Sequence, residues 1–362
     1  MQKKEYYYGL DQLRSGLMLI GVLIHTAALI NPFYQWNYVS QYRNEFIHDL
    51  VYITHFFRME AFFVIAGFFS AMVLIKKGAA YFMEGRYKRV LIPLISSILL
   101  INTFEVWFIV HHGIKPWQEI GISDFIVHSW FLLTLMILSI SALLPIDKIL
   151  DWFNRRNIWI QISAIIIYML CPYSIKFLLY FIFPEQEFPL VYTLFDYFIE
   201  RTLHYSIYFF LGYQIYRSEY LKNLLRDQTV FKIVSMMALV CLMYQYSTIG
   251  AVAETKPSIV IQSANLILKH ITALTTSWVL FSFFFKAHFR PSKASAFLVR
   301  SAIIIYLFHH PLVIVIGYYS DIAGLTSAGY FFLVAICVYL WSFFIYFIID
   351  SNRYTRWLFG IK

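Results

Sequence analysis

The chain has 362 residues, of which 60% are hydrophobic, 20% aromatic and only 14% charged, with a formal net charge of +9. So few charges exclude an ordinary soluble domain, where about 25% of residues are charged, and indicate a polytopic membrane protein. The positive charge does not imply nucleic acid, because the basic residues are spread along the chain instead of forming a patch with interleaved aromatics.

Apolar runs of the length needed to cross a bilayer, about 17 to 25 residues, predict ten helices: 10–31, 50–75, 90–111, 125–145, 158–183, 201–217, 230–250, 263–286, 298–318 and 327–349. The sixth is short and rich in tyrosine. The expected fold class is therefore all-α, a single transmembrane domain over 1–362 with no separate soluble unit. Arg14 interrupts the apolar core of the first run and no small-residue cleavage site follows it, so that segment is expected to be retained and not removed as a signal peptide. Cys171, Cys241 and Cys337 fall inside spans and suggest neither a disulfide framework nor a metal site; no metal is expected.

Basic residues set the orientation, since short cytoplasmic loops keep Lys and Arg. With the N-terminus inside, the inner segments hold Lys3 and Lys4, then Lys76, Lys77, Arg86, Lys88 and Arg89, then Lys148, Arg155 and Arg156. They continue with Arg217, Lys222, Arg226 and Lys232, then Lys286, Arg290, Lys293 and Arg300, and lastly Arg353, Arg356 and Lys362. The outer loops hold only Arg43, Lys115 and Lys256, with Arg201 at an outer helix edge. Both termini are expected in the cytoplasm.

Against this topology the intramembrane polar residues can be placed by depth. Arg14 and His25 are eleven residues apart in LDQLRSGLMLIGVLIHTAALI, about three helical turns and roughly 16 Å along one face. One stripe thus carries a cation near the inner surface and an imidazole in the outer half. Ionisable groups at such depth cost about 2.5 to 3.5 kcal/mol each and usually line an internal cavity. His55, Arg58 and Glu60 in HFFRMEAFFVIAGFFS also fall in the outer half, with His55 and Arg58 expected on one face. Asn102, Glu105 and His112 form a stripe on the third helix, and His128 begins the fourth. A site opening outward near the first four helices is implied. At the inner surface, GRYKRVLIP puts Arg86 and Arg89 on one face of a helical turn, where planar guanidinium forks suit phosphate oxygens; ordinary positive-inside anchoring is the plainer reading of the same charges.

These motifs, in this order, resemble the acyltransferase-3 family of integral-membrane acyltransferases: LDxLR with Arg14 and His25, FFVIAGFFS where the family has FFxxSGF, a basic RxxR, WFLL, and YLFHHP near the ninth helix. The stretches around FIHDLVYITHFFRMEAFFVIAGFFS and IYLFHHPLVIVIGYY are most similar to the branch that succinylates osmoregulated periplasmic glucans. Ala66 departs from the family's usual Ser, and Glu60 stands where that branch is expected to have Gln. A carboxylate there would repel a dicarboxylic acyl group unless Arg58 paired with it.

The resemblance implies transfer of an acetyl or succinyl group from cytoplasmic acyl-CoA, a co-substrate and not a tightly bound cofactor, to a glycan or glucan hydroxyl outside. Implied partners are the lipid bilayer, acyl-CoA, the glycan acceptor and the glycan-synthesis machinery, in a bacterial inner membrane. The CoA phosphates would lie at Arg14, Arg86 and Arg89, with His25 as general base or transient acyl acceptor. Glu60 or Glu105 would orient the imidazole, and Arg58 would stabilise the oxyanion or bind an acyl carboxylate.

Plainer readings accompany these. A lone membrane histidine such as His25 often only hydrogen-bonds between helices. His309 and His310 lie about 100° apart on a helix, so at least one is expected to be structural, as is Lys176. Lys269 shares a face with Asn265, and the aromatics around Tyr34 to Tyr42 suit an interfacial belt. A secondary transporter of glycans is the competing function, with Gly67 and Gly212 as its only candidate helix breaks; a catalytically dead scaffold for a glycan synthase is a third class.

Overall fold

The computed structural model describes residues 7–33, 36–185, 187–249, 259–287, 289–290, 292–322 and 324–361. Lys3, Lys4, Tyr34, Lys256 and Lys362 lie outside the described residues. The described residues form helices and connecting turns with no strand. The main helices are α1 Tyr8–Leu29, α2 Glu45–Tyr52, α3 Arg58–Arg86, α4 Thr103–His111, α5 Trp130–Ser141, α6 Ile158–Ile182, α7 Arg201–Arg217, α8 Gln228–Thr248, α9 Ile259–Lys286, α10 Lys293–Ser320 and α11 Ser327–Ser351. Side-chain oxygens cap many of their N-termini: Asn44 accepts from Ile47, Asp227 from Thr229 and Val230, and Ser292 from Ser295, satisfying amides that have no partner within the helix.

Among the described residues, eight helical stretches are long and apolar enough to cross a membrane. One of them, Glu45–His111, runs for 67 residues, roughly 100 Å of helix, against a hydrocarbon thickness of about 30 Å. It must therefore cross twice. Gly78, at φ 79° and ψ 170°, supplies the break, in a left-handed conformation that glycine adopts without steric penalty. The two spans expected at 50–75 and 90–111 are the arms on either side. The short sixth span is longer than its hydropathy suggests: a helix from Pro189 continues through a π-helical turn at Phe195–Glu200 into α7 without interruption.

Packing follows from small residues and apolar faces. α1 packs mainly on α10 and α9, α3 on α7, and α10 on α11. A Cβ on Gly67 would stand 1.8 Å from the carbonyl oxygen of Phe209, and one on Gly212 1.8 Å from that of Val64. Gly67 and Gly212 are thus points of backbone contact inside intact helices, not breaks, because the two backbones meet where neither residue carries a side chain. By contrast, only 11% of the membrane windows of α6 and α8 is buried, against 56% for α1, which puts those two helices at the periphery, where apolar side chains can face lipid.

The segment after α1 folds back over its end. Ser40 N donates to Leu29 O at 2.9 Å and Asn44 N to Ile30 O at 3.0 Å. Across the loop, Tyr38 and Gln41 donate to the carboxylate of Asp321 beyond α10. Burial and that bond, which tethers the loop, push the Tyr38 hydroxyl above its ordinary range. The tether holds Trp36 and Asn37 over the end of α1.

Candidate active site

His25 stands at the centre of a cluster of rings. Its imidazole lies 5.1 Å from that of His309, 4.9 Å from that of His310 and 5.7 Å from the Trp36 indole, centroid to centroid. His128 adds a fourth imidazole, 4.9 Å from His310 and 5.6 Å from His309. Both members of the pair of which at least one is expected to be structural, His309 and His310, thus lie against His25. Two consecutive helical residues diverge by about 100°, yet α1 packs directly on α10, so the pair straddles one ring projecting from α1.

The hydrogen bonds of the cluster run to neighbouring groups. His310 Nδ1 is 2.8 Å from Glu105 Oε2, and Asn37 Nδ2 approaches Glu105 Oε1 at 3.4 Å. His309 Nδ1 donates to the Tyr306 carbonyl at 2.7 Å, and His128 Nε2 to the Leu307 carbonyl at 2.9 Å. Arg58 is buried beside them: a Cβ on Gly21 would stand 2.4 Å from Arg58 Nη1 and 3.5 Å from His309 Nε2. Gly21 lies one turn before His25, so the missing side chain leaves room for the guanidinium against α1. The Arg58 Nε and the His309 Nε2 have no hydrogen-bond partner among the described residues. A cation and an open imidazole nitrogen next to a second imidazole can stabilise an oxyanion and move a proton.

Neither carboxylate bonds to His25, contrary to the expectation from sequence. Glu105 is held by His310, and Glu60 Oε1 lies 3.2 Å from His204 Nε2 in a separate cluster with His270 and Tyr208. His55 remains within Coulombic reach of Arg58, though not on one continuous helix. A 3-10 turn at Ile53–Phe56 and the φ of −145° at Phe57 interrupt the helical register between them, and the His55 ring stacks on Tyr52. Lys176 pairs with Asp196 at 2.8 Å and Glu200 at 3.2 Å, and Asn265 accepts from Tyr244, not from Lys269.

The other end of α1 gathers positive charge. Arg14 pairs with Asp11 at 2.8 Å and lies within Coulombic reach of both Arg86 and Arg89. Arg86 Nη2 donates to Ser70 Oγ at 2.6 Å and its guanidinium covers the Phe82 ring at 4.8 Å. No ion pair forms at Arg86 or Arg89 among the described residues. Three guanidiniums with one carboxylate between them leave an excess of charge suited to a polyanion.

The profile of an acyltransferase domain matches residues 7–347. The chain belongs to the acyltransferase-3 family. This acyltransferase is similar to the glucans biosynthesis protein C of Escherichia coli strain SMS-3-5 / SECEC, 26% identical over 367 residues that cover 94% of the chain and 91% of that protein. The protein of the same name from Shigella dysenteriae serotype 1 strain Sd197 matches at the same identity and coverage, and that of Escherichia coli strain K12 at 25%. No solved structure matches.

Within the acyltransferase, Trp36, Asn37, His309 and His310 are members of the site that sequence reasoning does not assign. Trp36 and Asn37 carry no signal of their own in a loop rich in aromatics. The YLFHHP motif is the available pointer to His309 and His310, and only the seating of α10 on α1 gives both rings a common neighbour. The hydroxyl absent at Ala66 also has a local counterpart: Ser70, one turn later, donates to the Ala66 carbonyl at 2.6 Å while accepting from Arg86.

Proposed function

We propose that this acyltransferase moves an acetyl or succinyl group from acyl-CoA at the cytoplasmic face to a hydroxyl of a glycan on the outer side of a bacterial inner membrane. The observation that carries the reading is the two-ended α1, with Arg14 beside Arg86 and Arg89 at one end and His25 among imidazoles about 16 Å away at the other. The CoA phosphates bind at the guanidiniums, and the thioester reaches toward His25. His25 takes the proton of the acceptor hydroxyl as its oxygen attacks the thioester carbonyl. Arg58 stabilises the oxyanion, and the C–S bond breaks as the imidazolium returns the proton to the departing thiolate. A glucan is the acceptor suggested by the relatives' name, and the glycan-synthesis machinery that supplies it is a natural partner. Catalysis needs no tightly bound organic cofactor in this scheme. The competing transporter reading draws on Gly67 and Gly212, whose close contacts are accounted for by helix packing.

The test reconstitutes the protein in sealed vesicles with labelled acetyl-CoA or succinyl-CoA on one side and glucan on the other. Label should reach the glucan, and His25→Ala should reduce transfer by about 100-fold or more while the protein stays in the membrane. A variant that keeps most of the activity would overturn the role of His25. No transfer from either donor, with glucan itself crossing the vesicle wall, would favour the transporter.

A further inference from the structure

Glu105, His128 and His310 are buried together, and each brings a ligating atom within 4.8 Å of the other two. They come from separate stretches: α4, the 3-10 turn at Val127–Ser129 that leads into α5, and α10. Their hydrogen bonds determine which nitrogens carry protons. The Leu307 carbonyl can only accept, so His128 Nε2 bears the hydrogen and the neutral ring keeps a lone pair on Nδ1. That Nδ1 is buried and has no partner among the described residues. His310 Nδ1 lies 2.8 Å from Glu105 Oε2, so one proton bridges the two groups, and a cation bound there takes that proton's place while the ring carries its hydrogen on Nε2. The ionised carboxylate offers acceptors alone, and its one further hydrogen bond among the described residues is the long 3.4 Å approach of Asn37.

The orphaned lone pair of His128 and the His310–Glu105 pair are therefore buried together. A buried acceptor without a partner is costly, and a cation shared by all three groups satisfies the one on His128. Two histidines and one carboxylate with a further position open form a donor set of catalytic zinc sites. Ligating histidines commonly pass their remaining N–H to a carbonyl or carboxylate, as His128 does to the Leu307 carbonyl. We propose that Glu105, His128 and His310 bind a divalent transition-metal ion of the zinc class, contrary to the expectation from sequence that the chain holds no metal. Tetrahedral bonds of about 2.1 Å separate ligand atoms by roughly 3.4 Å, between the 2.8 Å of His310 Nδ1 from Glu105 Oε2 and the 4.8 Å that bounds all three separations.

His310 packs 4.9 Å from His25, which places such an ion beside the histidine given the proton-transfer role, where it can polarise a carbonyl oxygen. That consequence rests on the acyl-transfer reading, whereas the metal site stands on its own geometry.

The test uses full-length protein purified without a histidine tag, dialysed against micromolar Zn²⁺ and analysed for zinc by mass spectrometry. Wild type should hold about one zinc per chain, as should His111→Ala, whose ring lies at the end of α4 outside the cluster. His128→Ala should lose zinc by about tenfold or more, and His128→Cys, which restores a zinc ligand, should recover it. Should His128→Ala fail to yield monodisperse protein, Glu105→Gln replaces it, with the same loss expected. Wild type that takes up almost no zinc overturns the proposal, and so does folded His128→Ala or Glu105→Gln that retains it. Zinc bound at full stoichiometry by protein that transfers no acyl group would support the site while removing the acyl-transfer reading.

Discussion

His25 and Arg14 stand out in the amino-acid sequence alone, because two ionisable side chains on one face of an apolar helix are expensive in a membrane. Their neighbours do not. Periodicity within a helix ranks the faces of that helix, and says nothing of which residue of another helix meets them. The carboxylates illustrate the difference. Glu105 and Glu60 are both legible as buried acids, but their hydrogen bonds to His310 and His204 depend on where α10 and α7 lie. At the inner end, Arg86→Ala or Arg89→Ala should raise KM for acyl-CoA with little change in kcat. A lost charge-assisted bond is worth about 1.5 to 3 kcal/mol, or roughly 10- to 100-fold in affinity. Steady-state kinetics checks this. Ser70→Ala should have a smaller effect in the same direction, since it removes only the group that holds Arg86 in place.

At the scale of elements, the long apolar runs predict the helices well, and their joints less so. A hydropathy profile shows a dip between 75 and 90, and Gly78 is the residue whose backbone takes up the reversal. The continuation of α7 back to Pro189 is hidden by Asp196, Glu200 and Arg201, which lower the local hydropathy without interrupting the helix. The α3–α7 crossing is ambiguous in sequence for a related reason: a glycine in a membrane helix marks either a break or a close approach, and its sequence context is the same in both. Gly67→Ala should therefore destabilise the protein, because the added carbon meets backbone that cannot swing away. Overpacking of this kind costs about 1 to 3 kcal/mol or more. The thermal midpoint of the detergent-solubilised protein should fall, and a control Gly16→Ala, where a Cβ meets nothing within 4 Å, should leave it unchanged or slightly raised.

For the molecule as a whole, the asymmetry of Lys and Arg between alternate loops argues for cytoplasmic termini. A reporter active only in the cytoplasm should work when fused after Lys362 and fail when inserted in the turn between α6 and Pro189; the reverse pattern would invert the proposed direction of transfer. Sequence by itself determined the class of the molecule, its apolar spans and the two ionisable ends of α1, because hydrophobicity and charge are properties of local composition and helical period. Its motif order also carried the resemblance to the acyltransferase-3 family. Only the tertiary structure decided that four imidazoles, Glu105, Trp36 and Arg58 gather around one point, and that Arg14 meets Arg86 and Arg89. Those contacts join residues far apart along the chain, and they arise from which helix faces bury against one another, information that no single helix carries in its own sequence.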